Sequence, residues 1–429
     1  MVSLEPTRRG VLFDLFCGGG PLALGAEQAG FDVALGADLE PVHCAVHHHN
    51  FGYGRAVAAD LSLAKGIDLR RAASHKDEID LVTLGRSPDF LLGAPPCQGF
   101  SSAGRRDYND PRNELVFHFH RLVQELEPRY ALMENVAGMA SGQFSGLLDE
   151  LVEAYHQIGY GVVTPVRILN AAEFGVPQNR DRVMLLIYRY GEKAPVYPDA
   201  THSLMPDLLL KRTPTVAEAL EGLPEADAFE ELLHTDEVDA TGHWGGANLY
   251  AQYMRGLAND PDDLSYRRIW NPAMLTCSKR TVHAPAVVER YAAVPPGGKC
   301  EGHNLVRLHL ERQAPTLRAG SVARSYEGKR HSAQTAARPL HPVRPRVITV
   351  REGARLHSVP DWFRFHSTVM QGFRELGNSV PPLLARAVMH EIRNAAGLAP
   401  AQPSEEVPLG DPTLLAMTDR NAGEMFRAA

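Results

Sequence analysis

The chain has 429 residues, 22% of them charged and 44% hydrophobic, with 37 Gly and 31 Pro, a mixture that suits one large or two modest globular domains and excludes a fibre or a disordered tail. No apolar run reaches the roughly 18 uncharged residues of a membrane helix, and the opening MVSLEPTRRG lacks a signal peptide's apolar stretch, so neither secretion nor membrane insertion is expected. Net charge is −7, and the five cysteines, Cys17, Cys44, Cys97, Cys277 and Cys300, form no CxxC pair, which speaks against a disulfide framework or zinc site and for reduced thiols in a cytoplasmic protein.

The first 190 residues alternate short apolar runs with helical patterns. Strands are expected at 11–16, 33–37, 89–93, 130–134 and 183–188, with helices at 22–29 and 115–126 between them. Alternating βα units imply a doubly wound, mostly parallel α/β sheet, whose ligands bind beyond the C-terminal strand ends.

The first strand runs into Asp14-Leu-Phe16-Cys17-Gly18-Gly19-Gly20 and then a helix. Glycines at such a turn let a nucleotide-like ligand approach the backbone and the helix N-terminus, although a tight structural turn would look the same. A second strand ends near Asp38 and Glu40, where an acid can bind ribose hydroxyls, and Asp60 could serve an adenine amino group; each could equally be a cap or a solvated charge. The strand at 89–93 leads into Gly-Ala-Pro-Pro96-Cys97-Gln98-Gly-Phe-Ser101, a thiol on a Gly/Pro loop at the ligand edge and therefore a candidate nucleophile. Another strand ends in Glu134-Asn135-Val136 at the same edge, so a Cys and a Glu face one pocket, an arrangement suited to attack on an electrophilic ring with a proton donor alongside. Arg180 and Arg182, before the strand at 183–188, alternate faces, so one could point to the pocket and the other to structure. His43, Cys44 and His47 to His49 have metal-like composition, but they fall on a predicted helix that reads as a surface helix, and no metal site is expected.

From about Pro195 the βα pattern fails. Residues 199–263 carry 14 acids against three basic residues, and 264–351 carry 16 Lys/Arg against four acids. So basic a stretch suits a surface that follows phosphates, and it would also fit a solvated basic face. The next clear helix is predicted at 383–395, and the Pro-rich tail after Gly397 reads as loosely attached.

With these segments in this order the sequence resembles the DNA (cytosine-5) methyltransferases of the bacterial restriction-modification type. DLFCGGGPLALGAEQAGF, APPCQGFS, ENV and QNRDR resemble four of that family's motifs, and PRVITVREGARLHSVPDWFRF with ELGNSVPPLLARAV resemble its last two blocks. The resemblance implies a Rossmann-like S-adenosylmethionine-dependent methyltransferase fold with a smaller, irregular target-recognition domain. Its divisions would be residues 1–194 as the first catalytic part, 195–365 as target-recognition domain, 366–398 as the return to the catalytic domain and 399–429 as a tail. It implies that Cys97 attacks C6 of a flipped-out cytosine while Glu134 bonds its N3 and N4 edge, with Arg182 at the base or its loop, Arg180 in support and Gln178 structural. Phe16, Gly18, Gly20, Asp38, Asp60, Pro96, Asn378 and Ser379 would hold S-adenosylmethionine, and Gln98, Ser101, Arg318, Ser321, Arg324, Lys329 and Arg330 would contact double-stranded DNA. The chain departs from the family pattern at Pro21, usually Gly, and at Asp38, usually Glu, which leaves Glu40 as another ribose ligand. A monomer working beside, but not bound to, a cognate restriction endonuclease is implied. The family's tRNA cytosine-5 branch is the alternative, although about 150 residues between QNRDR and RVITVRE, a long recognition region, favour DNA.

Overall fold

The computed structural model describes residues 8–74, 88–96, 114–140, 145–206, 208–301, 305–319 and 338–427. Its centre is an eight-stranded sheet of β1 (Gly10–Leu15), β2 (Phe31–Asp38), β3 (Arg55–Ala58), β4 (Phe90–Gly93), β5 (Tyr130–Val136), β6 (Tyr160–Val162), β7 (Arg167–Asn170) and β8 (Asp181–Arg189). The order is β3-β2-β1-β4-β5-β8-β6, with β7 also on β8; the first five strands are mutually parallel, and β8 runs antiparallel to β5. The sheet is thus mixed α/β and mostly parallel. All five expected strands are present, whereas β3, β6 and β7 are too short, at three or four residues, to stand out as apolar runs.

Alternate residues of each strand enter opposite layers, as the pleat requires. Leu12, Leu92 and Leu132 join a core formed with α1 (Pro21–Gln28), whereas Phe13, Leu91 and Ala131 join one formed with α3 (Gly66–Ala73), α4 (Leu115–Leu126) and α5 (Ser145–Gln157). Between α1 and α3 comes α2 (Pro41–Asn50), behind the ends of β2 and β3. Pro21 and Pro41 occupy first helical positions, where a missing N–H costs nothing and the fixed φ suits the helix. Replacing Gly by Pro21 is therefore compatible with the turn that precedes it.

Beyond β8 the chain is not as featureless as its pattern suggests. Short helices α6 (Val216–Leu220), α7 (Leu249–Met254) and α8 (Pro285–Ala292) and three two-stranded pairings punctuate it; α9 (Val350–Leu356), α10 (Val369–Asn378), α11 (Pro382–Ala396) and α12 (Asp419–Phe426) follow. Helix α9 escapes a periodicity reading because nearly all of it is buried, including Arg351 and Arg355, so its polar residues do not mark a solvent face; a Thr349–Glu352 capping box starts it. Helix α11 packs along α1 and so carries the late sequence blocks back onto the sheet.

Two expectations are overturned. The tail after Gly397 is docked: Glu406–Pro408 pairs in parallel with Arg267–Ile269, and Leu414, Ala422 and Phe426 form a cluster with Val42, Cys44 and Ala45 of α2. For the same reason α2 is not a surface helix, since tail and sheet cover both sides and bury His43, Cys44, His47 and His49. Its histidines conceal the burial in sequence because they carry no apolar signal.

The charge segregation along the chain is also partly cancelled in space. Arg346 pairs with Glu225, Asp227 and Glu352, Arg344 with Glu225, and Arg280 with Asp227. Arg307, Arg338 and Arg351 donate to backbone carbonyls in the interior, and Arg268 makes a fully buried pair with Glu27 of α1 at 2.8 Å. Among the described residues, at least these seven cations of the basic stretch are thus engaged within the protein.

Candidate active site

The C-terminal ends of β1 to β5 converge on one edge. At β1 the chain turns through Phe16 (φ 57°), Gly18 (φ 53°) and Gly20 (φ 99°) into α1. A left-handed Phe costs strain that surrounding structure must hold, a pattern that marks ligand sites. A Cβ on Gly18 would face open space, whereas one on Gly20 would lie 2.7 Å from the Phe51 ring and 3.1 Å from His47. Gly18 therefore leaves room for a ligand, and Gly20 is required by packing against α2.

The end of β2 presents Asp38 to this turn. Its Oδ2 accepts from the Gly18 N–H at 3.0 Å, and its Oδ1 accepts from the Glu40 N–H at 2.9 Å and from His43 Nδ1 at 3.1 Å. Glu40 instead reaches Arg374 of α10 at 3.4 Å, so Asp38 is the acid that faces the glycine turn. Burial opposes its charge, but His43 and the backbone donors more than offset this and hold Asp38 below the usual carboxylate range. Asp60, after β3, is exposed and accepts from the Ser62 N–H and hydroxyl.

Asp14 is a site residue that the sequence reading passed over. It is fully buried on β1, neither carboxylate oxygen has a hydrogen-bond partner among the described residues, and burial together with Asp38 pushes its pKa well above the usual range. An uncompensated buried carboxyl is costly and calls for a cationic partner. The available signal was one acid inside an otherwise apolar strand.

At the other side of the edge Glu134 ends the buried run of β5. Its Oε1 lies 2.5 Å from Nε of Arg182 on the antiparallel neighbour β8. Burial raises the Glu134 pKa, with Arg182 and then Arg180 opposing it. Asn135 donates to the Pro95 carbonyl at 3.4 Å, which ties this acid to the loop that follows β4. Pro96 is exposed on that loop. Cys97, Gln98 and Ser101 follow it in sequence and lie outside the described residues.

Arg180, the alternate arginine, points to structure. Fully buried, it donates to the carbonyls of Leu317 at 2.8 Å, Gly377 at 2.8 Å and Ser379 at 2.7 Å. Gln178 donates to Nδ1 of His357, whose Nε2 faces the Ser379 hydroxyl, both at 3.0 Å. Burial and the two nearby arginines push the His357 pKa well down, so the ring is neutral, accepts at Nδ1 and donates at Nε2. These contacts join residues 178–180 to backbone and side chains 137 to 199 residues further along the chain. Helix α10 also meets the glycine turn, where a Cβ on Gly19 would stand 3.4 Å from the Glu375 side chain. Asn378 is exposed at the end of α10, beside Ser379. Arg318 is exposed after Leu317, and Ser321, Arg324, Lys329 and Arg330 lie outside the described residues.

The edge thus brings together Phe16, Gly18, Asp38, Asp14 and α10 on one side and Glu134 with Arg182 on the other. The first group offers carboxyls that a positively charged ligand would partner, and the second a buried acid that can hydrogen-bond a polar ring edge.

Comparison with known proteins gives the family. The family model described as C-5 cytosine-specific DNA methylase matches residues 11–394. The chain is 44% identical over 419 residues to the Type II methyltransferase M.XorII of Xanthomonas oryzae pv. oryzae, covering 97% of this chain and 92% of that protein. It is 28% identical over 382 residues to the Type II methyltransferase M1.HphI of Haemophilus parahaemolyticus, covering 88% and 85%. The fold resembles the crystal structure of a DNA modification methyltransferase encoded within a prophage of E. coli, with a TM-score of 0.66 and 28% identity over 89% of this chain and 98% of that one.

Proposed function

The chain belongs to the C-5 cytosine-specific DNA methylases, and from that premise we propose that it moves a methyl group from S-adenosylmethionine to C5 of a cytosine flipped out of a short double-stranded DNA site. The observation that carries the reading is the buried Glu134–Arg182 pair at 2.5 Å, tied through Asn135 to the loop that leads to Cys97. Cys97, as thiolate, adds to C6 of the ring. Glu134 holds N3 and the N4 edge, so the charge pushed onto the ring is met by a group whose raised pKa lets it share a proton there. Arg182 fixes the Glu134 carboxyl against the base, and Arg180 supports the surrounding backbone. Transfer of the methyl group would leave S-adenosylhomocysteine; C5 then gives its proton to solvent water, the electron pair of that bond re-forms the ring double bond, and Cys97 leaves as thiolate. A stacked base cannot reach groups this deep in a cleft, so flipping is required.

S-adenosylmethionine, when bound, supplies the activated methyl group. Asp38 would hold its ribose, Asp60 its adenine amino group and Asp14 its cationic part, whereas Phe16, Gly18, Gly20, Pro96, Asn378 and Ser379 would shape the walls. The orphaned Asp14 carboxyl and the open space at Gly18 support that fit. We assign residues 195–365 to reading the DNA site, with Arg318, Ser321, Arg324, Lys329, Arg330, Gln98 and Ser101 as contacts. Residues 1–194 and 366–398 form the catalytic part. M.XorII and M1.HphI are named Type II methyltransferases; we extend that role, protection of DNA against a cognate endonuclease, to this chain acting as a monomer.

The test is transfer of labelled methyl groups from S-adenosylmethionine to unmethylated duplex DNA and, in parallel, to bulk tRNA, with bisulfite sequencing of labelled DNA. Label in one short DNA motif, together with a covalent adduct on 5-fluorocytosine DNA that Cys97→Ala abolishes, is the expected result. Label in tRNA alone would move the site to an RNA substrate.

A further inference from the structure

Asp38 has little freedom left. Three donors hold it, two of them backbone N–H groups, from Gly18 and Glu40; the third, His43 Nδ1, is a side chain that no step of the proposed reaction uses. His43 sits in the first turn of α2, 6% exposed, with its Nε2 buried and unpartnered, so its ring serves Asp38 alone among the described residues. Glu375 and Arg374 of α10 face the same ring with opposite charges. With Oδ1 taken by His43 and Glu40, the remaining acceptor capacity of the carboxylate lies on Oδ2, the oxygen that also bonds the glycine turn. An Asp reaches one methylene less far than a Glu, so its carboxylate plane must be set by neighbours rather than found by side-chain adjustment.

We propose that His43 is a positioning residue for cofactor binding: its Nδ1–H fixes the Asp38 carboxylate so that the free capacity of Oδ2 meets the ribose hydroxyls of S-adenosylmethionine. This rests on the reading of Asp38 as ribose ligand, and the experiment separates the two.

Affinity for S-adenosylhomocysteine and for its 2′,3′-dideoxy form is measured by calorimetry on the full-length protein, its His43→Ala variant and its His43→Asn variant, whose amide nitrogen can take the place of Nδ1. Wild type is expected to bind the dideoxy form about tenfold more weakly, as loss of a hydrogen bond to a charged acceptor implies. His43→Ala is expected to weaken the parent ligand by a similar factor while shrinking the penalty for the missing hydroxyls, because the two changes remove one interaction. His43→Asn is expected to restore both. A merely structural role would weaken both ligands equally, leaving the hydroxyl penalty intact, and that result overturns the proposal. Should His43→Ala not fold, His43→Asn is compared with His43→Gln, whose amide extends past the Nδ1 position; equal hydroxyl penalties in these two also overturn it. No hydroxyl penalty in wild type would instead remove the reading of Asp38, and this proposal with it.

Discussion

Arg180 and Arg182 stand two positions apart at the start of β8 and do opposite work. The alternation of faces was legible from the residues themselves, whereas the roles of the two arginines came only from the family resemblance, because a strand's pleat gives period but not direction. The difference predicts separable defects. Arg182→Gln leaves Glu134 buried without its nearest cation, so burial pushes its pKa up further and the carboxyl is no longer held in its ion-paired position. Methyl transfer is expected to fall about 100-fold, the scale of losing one preorganised electrostatic contact, while cofactor affinity stays within about twofold. Arg180→Lys replaces a fork that reaches three carbonyls with one ammonium that can satisfy fewer of them. Two charged hydrogen bonds lost cost about 3 kcal/mol, measured as a lower urea midpoint. The positions of Glu134 and Gly18 at the sheet edge could be read because each ends an apolar strand with a residue that packing does not need. Asp14 was equally unusual, but one acid inside a strand is not distinctive until its lack of partners is seen.

At the scale of one element, α2 shows why sequence misjudged burial. Its run Pro41-Val-His-Cys-Ala-Val-His-His-His-Asn50 has too few large apolar residues to look like a core helix, yet the His47 ring fills the space that side chains on Gly20 and Gly36 would need. Those glycines and that histidine are one packing solution, spread over three segments. The consequence is a dependence on acid. Burial lowers His47 to about 3 and His49 to about 4, against an ordinary value of 6.5. In the unfolded chain both take a proton near pH 6.5; in the folded chain they do so only below pH 4. Unfolding therefore binds protons in this window, and stability falls as pH drops through it, by about 1.4 kcal/mol per pH unit for each histidine. Chemical denaturation between pH 6.5 and 4 is expected to show that slope, and His47→Leu, which cannot be protonated, to reduce it by about 1.4 kcal/mol per pH unit. An unchanged slope would mean that the ring is already charged in the folded state.

At the scale of the whole molecule, distant parts of the sequence complete one another. The acidic and basic stretches meet in part, since Arg280, Arg344 and Arg346 pair with Glu225 and Asp227 across more than 50 residues of chain. Linear charge counts miss this because pairing depends on a fold that irregular segments do not announce. The tail repeats the lesson. The family model ends at residue 394, and prolines after that point suggest a loose end, but prolines limit helices rather than docking. Leu414, Leu415 and Phe426 are buried, the Asp411 carbonyl bonds His49 Nδ1 at 3.2 Å, and Met417 does the same for His366 Nε2 at 3.1 Å. The tail thus covers the helix that backs the glycine turn, and a chain cut after Leu398 would bare Val42, Cys44 and Ala45. Phe426→Ala is expected to cost about 3 kcal/mol, as large aromatic truncations in a core do, and removal of residues 399–429 to cost more, both read as lower guanidinium midpoints. Cofactor affinity should weaken in the truncated chain by a larger factor than affinity for duplex DNA, because α2 carries His43 and adjoins Asp38. A midpoint unchanged by truncation would return the tail to the loose end that its composition implies.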